Sequence, residues 1–181
     1  MSTGELGVWL AVATSVGGSL GTWMGGYVAS RYAAADEPKQ ARLLAVSAAL
    51  ITPLVAAILL IPSKDVALSL LLPAYALMFF SFGPSFSMVQ GLAVPRMRAT
   101  ITAFVIMGQV LLAGIFGLQI VGILSDVLAP QLGVHSLRWA MVAVCVVALW
   151  AAFHFLQSAR FIRDDLIELS DAELPQPSRT E

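Results

Sequence analysis

The stretch PAYALMFFSFGPSFSMVQ, residues 73–90, gathers side chains that could hold a small molecule. On a helix, Tyr75, Phe79, Phe82 and Phe86 fall on one face at spacings of four, three and four. Ser81 and Ser85 lie on a neighbouring stripe. Two readings fit this pattern. One is core packing, with the serines bonded back to their own helix. The other is the aromatic wall of a substrate cavity beside a joint in the helix. Pro84, directly after Gly83, removes a helical hydrogen bond and should kink or unwind the segment there.

A second group lies further along. Thr102, Gly108, Gln109 and Gln119 fall within about 120° of one another at helical spacing. A glutamine inside an apolar run is costly unless it finds a partner or water. Gln109 therefore reads either as a cavity lining or as a hydrogen bond to a neighbouring helix. The candidates for a substrate cavity are Tyr75, Phe79, Phe82, Ser85 and Gln109.

Other chemistry finds no support. The sequence shows no nucleophile–base pair, no metal-ligand cluster and no phosphate-binding loop, so an enzyme is not expected, nor a cofactor or bound metal. No Asp, Glu, Lys or Arg lies deep in an apolar run, where a proton relay would need one. His154 falls toward the end of the last run and reads as an interfacial residue. Cys145 is the one cysteine and cannot form an internal disulfide. The net charge of -1 offers no basic excess for nucleic acid.

The elements that must position these residues are set by composition. Of 181 residues, 59% are hydrophobic and 12% charged; mean hydropathy is +0.86. A soluble domain is about 25% charged. The expected class is an all-α integral membrane protein in the lipid bilayer. Five stretches approach the roughly 20 apolar residues that a span needs: about 6–30, 43–61, 66–90, 100–124 and 139–155. Together they make a transmembrane bundle over 1–161. A charged tail, 162–181, follows and is expected to be partly disordered. Asp36 with Pro38 reads as a helix start, and Ser136 reads as a second cap.

Lysine and arginine alternate between the connections. Arg31, Lys39 and Arg42 fill the first, Lys64 alone the second, Arg96 and Arg98 the third, Arg138 alone the fourth, and Arg160 with Arg163 follow the last run. The positive-inside rule then places the N-terminus outside and the C-terminus in the cytoplasm. Gln119 on this topology lies nearer the outer surface than Gln109.

The first helix carries an uncommon number of glycines. Thr14, Gly17, Gly18, Gly21 and Gly25 fall within about 100°, with Val12, Val16, Leu20 and Trp23 opposite. Each glycine costs about 1 kcal/mol in a helix relative to alanine. In lipid that cost is offset when a bare face lets another backbone approach closely. The groove is either a fixed packing seam or a surface on which bundles rock. The fourth helix, with Gly108, Gly114, Gly117 and Gly122 around its circumference, is expected to be closely approached on several faces. The second and fifth lack glycine and read as outer, lipid-facing helices.

These segments also resemble a known family. GGYVASRYAAADEPKQAR is similar to the loop between the second and third helices of a half of a major facilitator superfamily transporter, matching at Gly26, Arg31 and loosely Arg42. Ser30 stands where that family has aspartate. Met97–Leu128 resembles the eleventh helix of spinster-like members through Arg98, Ala99, Gly122, Ser125 and Asp126, and HSLRWAM the start of their last helix. The resemblance spans about Gly4–Phe161 and implies helices eight to twelve of twelve, part of a six-helix half, in a bacterial inner membrane. It implies secondary transport of small organic or amphipathic molecules by alternating access. It also places Gly17, Gly18, Gly21 and Gly25 at the contact between halves. On this basis the chain is expected to be a fragment lacking the N-terminal half, or to pair with another membrane chain. The alternative is an accessory or structural membrane protein that packs with a partner and does not transport alone.

Overall fold

A computed structural model describes residues 3–34 and 36–173, and these are helical apart from short turns. The first helix has three parts: α1 (Thr3–Val12), a π-helical segment (Ala13–Gly17) and α2 (Gly18–Tyr32). Then come α3 (Glu37–Leu60), α4 (Lys64–Phe80) and α5 (Phe82–Leu92). The rest is α6 (Arg98–Gln109), a π-helical segment (Val110–Gly117), α7 (Leu118–Leu132) and α8 (Ser136–Glu173).

The ends follow from local chemistry. The Asp36 side chain accepts a hydrogen bond from the Lys39 backbone N–H at 3.0 Å, with Pro38 in the first turn of α3. This cap starts α3 six residues before the apolar run from 43. The third expected helix divides at Ser81 into α4 and α5. Pro84 has no N–H for the carbonyl of Phe80, and its ring crowds that position. Ser136 is not a cap: it already has helical backbone angles, and its hydroxyl lies 3.2 Å from that of Ser125 on α7. The last helix extends well past residue 155, to Glu173. Arg, Leu and Glu there are good helix formers, so the helix continues where hydropathy has ended. The expectation of disorder at the extreme C-terminus, 174–181, lies outside the described residues.

Three stretches are long and apolar enough to cross a membrane by length and composition: Glu37–Leu60, Lys64–Leu92 and Pro95–Ile162. The third, at 68 residues, is far longer than one crossing needs and contains a turn at Gly133, whose φ is +53°. Two of the five expected segments share it. The first expected segment is divided by a π-helical turn between helices of 10 and 15 residues.

The packing inverts the pattern of a soluble protein. The buried apolar residues are mostly alanines, among them Ala29, Ala33, Ala41, Ala45, Ala140 and Ala152. The large side chains face outward: Trp23, Phe104, Leu112 and Leu118 are 64–73% exposed. Small residues inside and bulky ones outside is the arrangement that suits lipid, where close backbone approach holds helices together.

Two expectations about the bundle are corrected. α3 is not an outer helix; it packs along α8, α4 and α5 through an alanine-rich face, because alanine permits close approach nearly as well as glycine. The glycines of the fourth expected helix are not closely approached: a methyl group at Gly108, Gly114 or Gly122 would meet nothing within 4 Å. That helix lies at the edge of the bundle.

Candidate substrate cavity

The aromatic residues form a continuous ladder across the break at Ser81. Tyr75 stacks on Phe79 with ring centroids 6.4 Å apart, Phe79 meets Phe82 edge to face at 5.3 Å, and Phe82 stacks on Phe86 at 6.0 Å. Each such pair contributes about 0.5–1.5 kcal/mol beyond its buried area, so the ladder braces the joint. Phe79 also borders a recess of 510 Å³ against the first helix, lined by Thr14, Ser15, Gly18, Ser19, Thr22 and Trp23.

Ser85 and Gln109 belong to a different cavity. It is a partly open recess of 300 Å³ between α3, α4, α5, α6 and α8, with Met78 and Gln109 at its exposed side. Its polar atoms come from Ser47, Ser81, Ser85 and Gln109, and its apolar wall includes Leu44, Ile51, Leu77, Met78 and Phe155. Ser47 donates to the carbonyl of Leu44 at 2.9 Å, and Ser81 to that of Met78 at 2.7 Å. The five candidates therefore divide. Ser85 and Gln109 share this cavity, while Tyr75, Phe79 and Phe82 line no part of it. Sequence reading missed Ser47 and Phe155. The signal for Ser47 was available: Gln40, Leu44 and Ser47 recur at spacings of four and three along α3.

The break that shapes the cavity is held from behind by the glycines. A methyl group at Gly17 would lie 2.6 Å from the carbonyl oxygen of Leu72. One at Gly21 would collide with Ala76, and one at Gly25 with the carbonyl of Phe80, the group that Pro84 leaves without its helical partner. Gly83 in turn sits against the backbone of Gly25 and Gly26. Gly18 is looser, with the Phe79 ring at 3.5 Å. The groove expected to receive another half of a transporter is thus filled, at Gly17, Gly21 and Gly25, by α4 and the joint of the same chain. Periodicity identifies a bare face but not its occupant.

The loop residues Gly26, Arg31 and Arg42 have a different setting. A methyl group at Gly26 would meet nothing within 4 Å, and both arginines are exposed. The Ser30 hydroxyl donates to the carbonyl of Tyr27 at 3.1 Å, so it turns back on its own helix. Gln40 organises this end of the bundle. Its side chain is 2% exposed, and its Nε2 donates to the carbonyl of Ala33 at 2.8 Å and to Ser87 Oγ at 2.9 Å, tying α2, α3 and α5 together. Its Oε1 is buried with no partner among the described residues. Thr102 borders a third recess, of 440 Å³, with Gln90 and Arg98.

Comparison with known proteins adds one likeness. No family model matches the chain, and no solved structure matches it. Over 172 residues the chain is 34% identical to an MFS-type efflux pump of Mycolicibacterium smegmatis, an alignment covering 93% of this chain. The chain spans 39% of that relative's length. Its apolar helices and this similarity together describe a multi-pass membrane protein that resembles one part of a transporter.

Proposed function

We propose that the chain is part of a secondary transporter that exports small organic or amphipathic molecules by alternating access, and that it crosses the membrane five times. It would then correspond to helices eight to twelve of a major facilitator superfamily transporter, with its N-terminus outside and its C-terminus in the cytoplasm of a bacterial inner membrane. The remaining helices would come from the rest of a longer polypeptide or from a partner chain. The observation that carries this reading is the cavity at the break between α4 and α5: polar, uncharged side chains set in an apolar wall, beside a joint that the sequence builds with Pro84. Export as the direction, and a non-enzymatic role, follow the likeness to the efflux pump. The resemblance of Met97–Leu128 to spinster-like members favours an amphipathic substrate. Substrate passage would involve Ser85 and Gln109 at the cavity, with the aromatic ladder bracing the joint between α4 and α5.

The test is accumulation in cells. Deleting the coding sequence from its host should raise the cellular content of small amphipathic dyes, and re-expression should lower it again. Equal accumulation in both strains, across dyes of different polarity, would count against transport.

A further inference from the structure

The 300 Å³ cavity has a specific hydrogen-bonding character. The hydroxyl protons of Ser47 and Ser81 are already committed to the carbonyls of Leu44 and Met78, so each oxygen keeps only its accepting capacity. The Ser85 hydroxyl and the Gln109 amide make no side-chain hydrogen bond among the described residues. The cavity therefore offers four accepting oxygens against three donor protons, one on Ser85 and two on Gln109. None of the residues lining it is charged. An ion entering an apolar site without a counter-charge loses several kcal/mol of hydration, whereas a neutral N–H or O–H group recovers its lost water by donating to a serine oxygen. The volume lies at the lower end of the roughly 300–1,000 Å³ range of small-molecule sites.

We infer that this cavity selects the uncharged, hydrogen-bond-donating end of a small amphipathic molecule, such as a phenol, alcohol or primary amide. The inference deepens the proposed function, since it rests on reading this cavity as the substrate site. Phe155, Leu77 and Ile51 receive the apolar body, and Ser81, Ser85 and Gln109 receive the donor. The selectivity is against charged molecules of the same size; a neutral molecule with no donor can still accept from Ser85 or Gln109, and a donor-bearing one gains about one hydrogen bond over it.

The experiment compares 4-butylphenol with its methyl ether, 4-butylanisole, and with 4-butylbenzoate. Binding to the intact protein in nanodiscs is measured by equilibrium dialysis, with empty nanodiscs correcting for partition into lipid. The phenol should bind roughly 3- to 10-fold more tightly than the ether, the value of one neutral hydrogen bond, and the benzoate more weakly than either. The variant combining Ser81→Ala, Ser85→Ala and Gln109→Leu should bring the phenol-to-ether ratio close to one while still binding the ether, which shows that the apolar wall has folded. The single variant Gln109→Leu, at an exposed position, should lower the ratio on its own. Gly122→Ala, in open space, should leave it unchanged. Equal affinity for phenol and ether, tighter binding of benzoate, or a ratio that survives the triple variant overturns the inference. Phenol selectivity without dye export in cells would overturn the transport reading and leave the site standing. Dye export without phenol selectivity would overturn the site alone.

Discussion

Replacing Gly21 with alanine should weaken the bundle, while the same replacement at Gly26, on the same helix, should strengthen it. At Gly21 the new methyl group would lie 2.7 Å from the carbonyl carbon of Ala76 and 2.8 Å from its Cα, where ordinary contact begins at 3.4 Å. These are backbone atoms and cannot rotate away. α2 and α4 would have to separate by roughly 0.7 Å or more, which loosens the neighbouring contacts at Gly17 and Gly25 in a closely packed seam. Overpacking of this kind costs about 1–3 kcal/mol, against a gain in helix propensity of about 1 kcal/mol for losing a glycine. At Gly26 a methyl group meets nothing within 4 Å, so only the propensity gain applies. That gain is common to both variants, and the difference between them isolates the steric cost, about 1–3 kcal/mol. Reversible unfolding of the purified variants in detergent measures it. Equal stability of the two, or a more stable Gly21→Ala, would refute the seam between α2 and α4.

Three further outcomes are expected. Gln40→Leu leaves the carbonyl of Ala33 and the hydroxyl of Ser87 without their buried donor, and should cost about 1–3 kcal/mol in the same unfolding assay. Asp36→Ala removes the side chain that accepts from Lys39 N–H, and should cost about 1 kcal/mol, with Asp36→Asn recovering most of it. Lys64 Nζ lies 2.7 Å from Glu5 Oε1, joining α1 to the start of α4. In a Cys145→Ala background the pair Glu5→Cys and Lys64→Cys should therefore be joined in intact cells by a flexible bis-thiosulfonate linker about as long as the two side chains it replaces, a direct disulfide needing closer Cα atoms than this contact requires. No cross-link would place the two helix ends apart.

Several features were legible in the sequence because they depend on a residue's own chemistry. Pro84 denies the carbonyl of Phe80 its helical partner, and α4 ends at Phe80, whereas Pro53 and Pro73 lie inside α3 and α4 without ending them. Asp36 and Pro38 start α3 as their types suggest. The bare face of the first helix follows from the missing Cβ atoms of Gly17, Gly21 and Gly25. What pattern alone could not supply was the partner of each face. The glycine groove receives α4 of this chain, and Gly108, Gly114 and Gly122 receive nothing within 4 Å. Alanine was the misleading residue. It recurs all round α3 and α8, so their buried faces, with Ala41, Ala45 and Ala140, do not stand out beside the glycines. The extension of α8 was hidden for a different reason, since hydropathy reports the lipid and not the helix. The cavity was half legible: Ser85 and Gln109 were singled out for being polar in an apolar run, but the aromatic ladder lies apart from them.

Filling the cavity at Ser85 shows whether it lies on a transport path. In the Cys145→Ala background, Ser85→Cys places one thiol at the cavity, and thiosulfonate reagents of increasing bulk can be attached to it in cells. Dye export should continue after attachment of a methylthio group, as the mixed disulfide with release of sulfinate, and stop after attachment of a benzylthio or larger group, with the dye protecting the thiol from reaction. Undiminished export with the bulky group in place, at complete labelling, would contradict the claim and remove this cavity from the path.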